Sequence, residues 1–382
     1  MGMRFLFKLF IIFGILFLLI YLCIRIFTNT KQDTAKDLGG KSQSVNGSIE
    51  KERMKVIGWI PYWDQENAKK SFMNNADKLD FVSVFWYRLE PDGSVGTYTD
   101  TVEDEEILKV AKKEKVKVLA LVANLPDHTE NGDWDYRRVD KVIATKAARD
   151  KHIKILVDLV KSKDFDGLDI DYEALKRPQR ENFSLFIEEL ADALHSEGKI
   201  LGVAIHPKTD EYKPEEDNGS HAQNLNRIAN AADQLYFMTY LEHGKFSAPG
   251  SSGSVPWIEN VMRYGIEGLD LPKEKVFMGV GVFGLEWEKD RNDKYTGTRD
   301  DLTFGEIVDR VNEKGVKEQY DDYAKSFHFS YTEKGIEHTI WYENAHSIEE
   351  KIKLAERLGV GGLALWRLNS EDPAMWELLS DK

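Results

Sequence analysis

The chain has 382 residues, of which 42% are hydrophobic and 11% aromatic, enough for one large core and incompatible with a wholly disordered polypeptide. Its 52 Lys and Arg stand against 66 Asp and Glu, a formal charge of −14, which excludes a broad nucleic-acid surface but not a neutral polymer such as a polysaccharide. A single cysteine, Cys23, excludes an intrachain disulfide, and the scattered histidines have no zinc-site spacing.

Residues 1–4 form a short tail. Phe5–Phe27 is apolar except for Lys8 and Arg25 near its ends, long enough to cross a bilayer core of about 30 Å. No small-residue cleavage site follows it, and Ile20-Tyr21-Leu22 before Cys23 lacks the small residues of a lipoprotein site. The segment is predicted to be a transmembrane signal-anchor, with secretion after cleavage as the alternative. Residues 28–54 are polar and without aromatics, the composition of a flexible tether.

From Lys55 onward short apolar runs alternate with amphipathic ones. Strands are predicted at Val56–Ile60, Phe81–Trp86, Val116–Val122, Gly167–Tyr172, Ile200–Ile205, Gln234–Met238, Val276–Val282 and Gly361–Trp366. Near-continuous apolar runs suit parallel strands buried on both faces. Arg180–Ser196 and Ser347–Leu358 have helical apolar spacing. Eight strand–helix repeats predict an α/β fold, a (β/α)₈ TIM barrel over residues 55–382. The gap between the last two strands holds a small α+β insertion over 285–342, in which Phe327–Tyr331 and Thr339–Tyr342 could pair.

The stretch from Asp164 to Glu173 reads DFDGLDIDYE. Strand alternation puts Asp169, Asp171 and Glu173 on one face and Leu168, Ile170 and Tyr172 on the other. The acidic face should project toward the C-terminal mouth of the barrel, where such folds place their chemistry. Adjacent carboxylates raise one another's pKa, and burial raises it further, which can keep one protonated as a general acid. The other readings are a solvated acidic strand end or a divalent-metal site, although no matching His or Asp partners stand out.

Asp166-Gly-Leu-Asp169-Ile-Asp171-Tyr-Glu173 resembles the D-G-x-D-x-D-x-E signature of family 18 glycoside hydrolases, the chitinase-like family. Gly58–Trp63 resembles that family's first strand and Tyr236–Tyr240 its sixth-strand M-x-Y motif. Gly362–Trp366 resembles its eighth strand, and the insertion its chitinase insertion domain. Tyr342-Glu343-Asn344 and Trp366-Arg367-Leu368 are similar to segments of bacterial cell-wall and spore-cortex N-acetylglucosaminidases.

The resemblance implies a retaining β-N-acetylglucosaminidase acting on peptidoglycan or chitin-type polymers. Glu173 would be the general acid and the substrate's 2-acetamido carbonyl the nucleophile. Asp171 would orient that group, Asp169 would pair with Asp171, and Tyr240 would donate to the acetamido oxygen. Trp366 would stack under the sugar. Asn124, where the third strand lacks the usual Ser-x-Gly-Gly, and Met238 of the M-x-Y motif join the expected substrate-binding set. No metal or cofactor is implied. The expected partners are the polysaccharide and, through the anchor, a membrane, with the catalytic domain extracytoplasmic and monomeric. Leu241 follows Tyr240 where the family carries Asp, and Glu242 should point elsewhere by strand parity. That departure supports the alternative of a glycan-binding lectin or wall scaffold.

Three further features can be weighed from the residues. Gly279–Gly284 matches G-x-G-x-x-G but opens no helix and reads as the seventh strand. His206, after the fifth strand, either lines the cleft or is structural. Tyr87 and Trp287 are aromatics at a strand end and in the insertion, expected in a sugar groove.

Overall fold

The computed structural model describes residues 53–99, 101–130, 132–210, 219–290, 292 and 294–379. The expected anchor over 5–27 and nearly all of the tether lie outside them. Among the described residues no helix is long and apolar enough to cross a membrane.

In chain order the first strands are β1 (Lys55–Pro61), β2 (Phe81–Leu89), β3 (Val95–Thr97), β4 (Lys117–Ala123), β5 (Gly167–Asp171), β6 (Ile200–Ile205), β7 (Gln234–Phe237) and β8 (Val276–Gly281). The insertion contributes β9 (Gly284–Lys289), β10 (Tyr295–Leu302), β11 (Gln319–Asp321), β12 (Ser326–Glu333) and β13 (Ile336–Tyr342), and β14 (Gly362–Trp366) follows. The main helices are α1 (Gln65–Asn75), α2 (Glu105–Glu114), α3 (Tyr136–Ile143), α4 (Lys146–Ser162), α5 (Arg180–Ser196), α6 (Leu225–Ala231), α7 (Val255–Arg263), α8 (Phe304–Lys314) and α9 (Ala345–Leu358).

Strands β1, β2, β4, β5, β6, β7, β8 and β14 pair in parallel in that order, and β14 pairs back to β1. The sheet is thus a closed eight-stranded barrel, and closure leaves these strands no open edge. Each of the eight predicted strands is present. The strand β3 adds to β2 as an antiparallel hairpin. Side chains alternate strictly through most of the wall. Val56, Ile60, Val82, Val84, Leu168 and Ile170 pack outward in the large core, whereas Ile57, Trp59, Phe81, Phe85, Leu121 and Phe277 fill the interior.

The helices start and stop for local reasons. α9 begins at Ala345, two residues before the sequence reading, because the Asn344 side chain accepts the Ser347 amide. It ends where Gly359 takes the left-handed conformation that glycine adopts without steric cost. In the insertion, β10-β9-β13-β12-β11 form an antiparallel sheet whose inner face packs with Phe304 and Ile307 of α8. The Gly279–Gly284 motif runs from β8 into β9 without a helix.

The narrow interior forces a small residue at Gly202 of β6. A Cβ there would lie 2.5 Å from the Tyr236 ring. That ring is fixed edge-on against Trp59 at 5.2 Å and Phe277 at 5.5 Å. Gly202→Ala is therefore expected to destabilise the barrel by about 1–3 kcal/mol, the usual cost of overpacking. The urea unfolding midpoint checks this, and an unchanged midpoint would show that the ring can move.

Candidate active site

The strand β5 carries the acidic residues to the mouth. Its outward residues hold it in place. Leu168 and Ile170 are fully buried, and the Tyr172 hydroxyl shares a 2.7 Å hydrogen bond with His152 Nε2 on α4. Burial pushes the His152 imidazole down to about 4, so it is neutral. The inward residues, Asp169 and Asp171, are buried. Glu173 lies just past the end of the strand, its side chain 20% exposed.

Each carboxylate has a different environment. Asp169 Oδ2 accepts from Trp59 Nε1 at 2.8 Å and from Ser83 Oγ at 2.7 Å. Burial pushes its pKa up to about 6 against those two donors, which favour the ion. Asp171 is pushed well up by burial and then by the charges of Glu173 and Asp169. The Oδ1 atoms of Asp169 and Asp171 are both buried with no hydrogen-bond partner among the described residues. Burial also raises Glu173, to about 8, with Asp133 adding a second negative charge, while a hydrogen bond from Asp171 opposes the rise. The trio therefore holds at least one proton at neutral pH, in line with like charges in a dry site.

Glu173 is positioned through its backbone. The Asn124 side chain, just beyond β4, accepts the Glu173 amide at 2.8 Å and donates to its carbonyl at 3.0 Å. His206 Nε2 stands 3.7 Å from Glu173 Oε2. The His206 amide is itself fixed by Gln223 Oε1 at 2.9 Å. The Tyr240 ring stacks on Trp366 at 6.4 Å, with 15° between planes. Burial first, and then the three carboxylates, raise its hydroxyl's pKa, leaving it a donor. Trp366 also touches Trp59 at 6.2 Å and Phe85 at 6.3 Å. Asp169, Asp171, Met238, Tyr240 and Trp366 line one pocket.

Three expected sugar contacts are elsewhere. Tyr87 is buried on the outside of the barrel against Phe165, its hydroxyl donating to Glu103 at 2.9 Å. A break in the β2–β4 pairing between Val84 and Tyr87 reverses the alternation that would have turned it inward. Trp287 is fully buried, and its Nε1 donates to the carbonyls of Gly244 and Ser247. It ties the insertion to the loop after Tyr240 and offers no face to a ligand. Asn124 is fully buried with both amide atoms on the Glu173 backbone, so it holds Glu173 in place and presents no free amide to the pocket.

Sequence reasoning passed over two contributors. Ser83, alone among Phe81, Val82 and Val84, was a polar residue at an inward position, and that isolation was the available signal. Asp133, exposed on the loop before α3, carried none. Among the described residues no group of three His, Cys, Asp or Glu could hold a metal ion.

The model for glycosyl hydrolases family 18 matches residues 55–372. The chain belongs to that family. It is a glycoside hydrolase. Among curated proteins it is 28% identical over 273 residues to the uncharacterized glycosylase YvbX of Bacillus subtilis, covering 71% of this chain and 76% of that one. It is 22% identical to the cortical fragment-lytic enzyme of the same organism, covering 83% and 71%. Among solved structures, a chitinase from Chromobacterium violaceum superposes with a TM-score of 0.76 at 26% identity, covering 86% of this chain and 98% of that one. The Bacillus megaterium spore cortex-lytic enzyme SleL gives 0.75 at 22%, covering 86% and 73%.

Two predictions follow from the raised carboxyls. A group whose folded pKa lies above its unfolded value stabilises fully below the unfolded value, and that contribution is lost as pH rises through the folded one. For Glu173 the window runs from its ordinary 4.5 to about 8. Glu173→Gln should match the wild-type melting temperature near pH 4 and exceed it above pH 8; equal melting at both would place the Glu173 pKa near its ordinary value. Second, removing the neighbouring charge with Asp133→Asn should lower the Glu173 pKa by ~0.5 unit. The alkaline limb of the kcat/KM profile should then move to lower pH, and a limb that stays put would separate Asp133 from the acid.

Proposed function

We propose that the chain is a membrane-anchored, retaining β-N-acetylglucosaminidase that hydrolyses an extracytoplasmic N-acetylglucosamine-containing polymer, peptidoglycan or a chitin-type glycan, by substrate-assisted catalysis. The observation that carries this reading is the carboxyl trio, with at least one proton at neutral pH, beside a buried acceptor that has no hydrogen-bond partner among the described residues, Asp171 Oδ1, under the Tyr240–Trp366 stack. The cortex-lytic and chitinase relatives support the same substrate class by the polymers their names give. The apolar segment 5–27 supports the anchor.

The residues divide the reaction between them. Glu173, protonated near neutral pH, gives its proton to the glycosidic oxygen as the bond to the sugar breaks. The acetamido carbonyl oxygen of the same sugar attacks the anomeric carbon, the route by which this family departs from the two-carboxylate scheme. Asp171 Oδ1 accepts the acetamido N–H and stabilises the positive charge that develops there. Asp169, held by Trp59 and Ser83, places its charge beside Asp171 and tunes that group's pKa. The Tyr240 hydroxyl donates to the acetamido oxygen. Trp366 presents its face to the sugar ring. Glu173, now ionised, takes a proton from the water that opens the intermediate, and two inversions give net retention.

One observation favours binding with little turnover. Leu241 is 51% exposed at the mouth where the family carries Asp. Glu242 does not replace it, because its Oε2 accepts the Ser254 amide at 2.7 Å, beside the start of α7. The full chain, incubated with peptidoglycan and with N-acetylglucosamine oligomers, should release products with a reducing N-acetylglucosamine end, read by mass spectrometry. Glu173→Gln should lower kcat at least ~10²-fold with binding little changed. Bound glycan without products from the wild type would establish the lectin reading instead.

A further inference from the structure

At the end of the barrel opposite the mouth, one cleft carries more lysine than carboxylate. This cleft of about 360 Å³ opens between α2 and the starts of β4, β5 and β6. Lys112, Lys115, Lys117, Lys163 and Lys199 line it with two carboxylates, Asp164 and Asp166. Asp166 is partly engaged, its Oδ2 accepting the Val118 amide at 2.8 Å. Lys163 pairs with Glu103, and Lys199 Nζ donates to the Phe165 carbonyl at 2.7 Å. Lys112, Lys115 and Lys117 are exposed, and no ion pair ties any of them to a carboxylate among the described residues. In a chain of net charge −14, cations gathered in one concave face attract an anionic partner and gain little from one another.

We propose that this floor docks on an anionic phospholipid bilayer. Chain connectivity selects the occupant. The polypeptide enters the barrel at Lys55, the first residue of β1, at the same end as the lysines. The segment expected to lie in the membrane precedes it in sequence by the 27 residues of 28–54. Those residues carry both signs of charge in near balance and are no polyanion to cover the cleft. Anionic headgroups meet clustered lysines at short range and only within a Debye length. Docked in this way, the barrel stands on its floor with the carboxylate mouth turned from the bilayer toward the polymer.

The inference rests on the anchoring proposed above, and the test separates the two. The full chain would be mixed with vesicles of phosphatidylcholine alone or with phosphatidylglycerol added, floated, and labelled at lysine amines for mass spectrometry. Lys112, Lys115 and Lys117 should label at least ~3-fold more slowly on the anionic vesicles, a difference lost at about 0.5 M salt, where the Debye length is about 4 Å. Lys353, on α9, should not change. A variant with all three lysines replaced by Gln should float equally and turn over soluble oligomers normally, but lose the lipid dependence at Lys163. Flotation on both vesicles with equal labelling would overturn the docking and leave the anchor standing. Flotation only on anionic vesicles would support docking and sink the anchor; flotation on neither would sink both. Equal protection by inorganic phosphate on phosphatidylcholine would overturn the bilayer as occupant and assign the cleft to free phosphate groups.

Discussion

Three carboxyl groups at the mouth of one dry barrel are the constraint around which this structure is arranged. Each charge there is expensive to bury, and together they repel. The fold meets that cost unevenly. Asp169 receives two donors, Trp59 and Ser83, from two different strands. Asp171 and Glu173 receive almost none, and burial pushes the pKa of both up instead, with Glu173 holding its proton at neutral pH. The stabilised ion and the retained proton therefore sit at opposite ends of one acidic run, the separation that lets a site hold an acid ready at neutral pH.

Most of the barrel was legible because closure and burial leave marks in sequence. A strand covered on both faces is apolar nearly throughout, as β6 and β8 are, and β2 and β4 depart from that only at Ser83, Arg88 and Lys117. The acidic run stood out because D-x-D-x-E puts three carboxylates on one face of an otherwise apolar strand. Strand parity placed Asp169 and Asp171 correctly for the same reason. Tyr87, expected in the groove from its place at a strand end, is turned outward by a single pairing irregularity in β2. Irregularities of that kind depend on the neighbouring strand and leave no local signature.

Aromatic content was a poor guide to the groove for a different reason. Trp287 has the composition of a sugar platform, yet its indole N–H is bound to the loop that leads away from Tyr240. Whether an indole binds sugar or fastens a loop depends on which face the tertiary structure leaves open. Asn124 shows the same ambiguity in a polar residue. An amide suits a sugar hydroxyl and a backbone peptide equally, and only the fold brings Glu173 within its reach.

The loop after Tyr240 joins these points. It is bound by Trp287, and the Ser251 hydroxyl meets Ser326 of β12 at 2.7 Å. Ser326 in turn donates to Glu343, which is paired with Lys351 of α9 inside the protein. A buried ion pair is seldom a source of net stability, since desolvation offsets its attraction, but breaking one is costly. Its value here is geometric. It fixes the insertion to the barrel's last helix and so fixes the loop that presents Tyr240 and Leu241. The insertion thus acts on the chemistry from a distance, by holding the one donor that the β5 carboxylates do not themselves position.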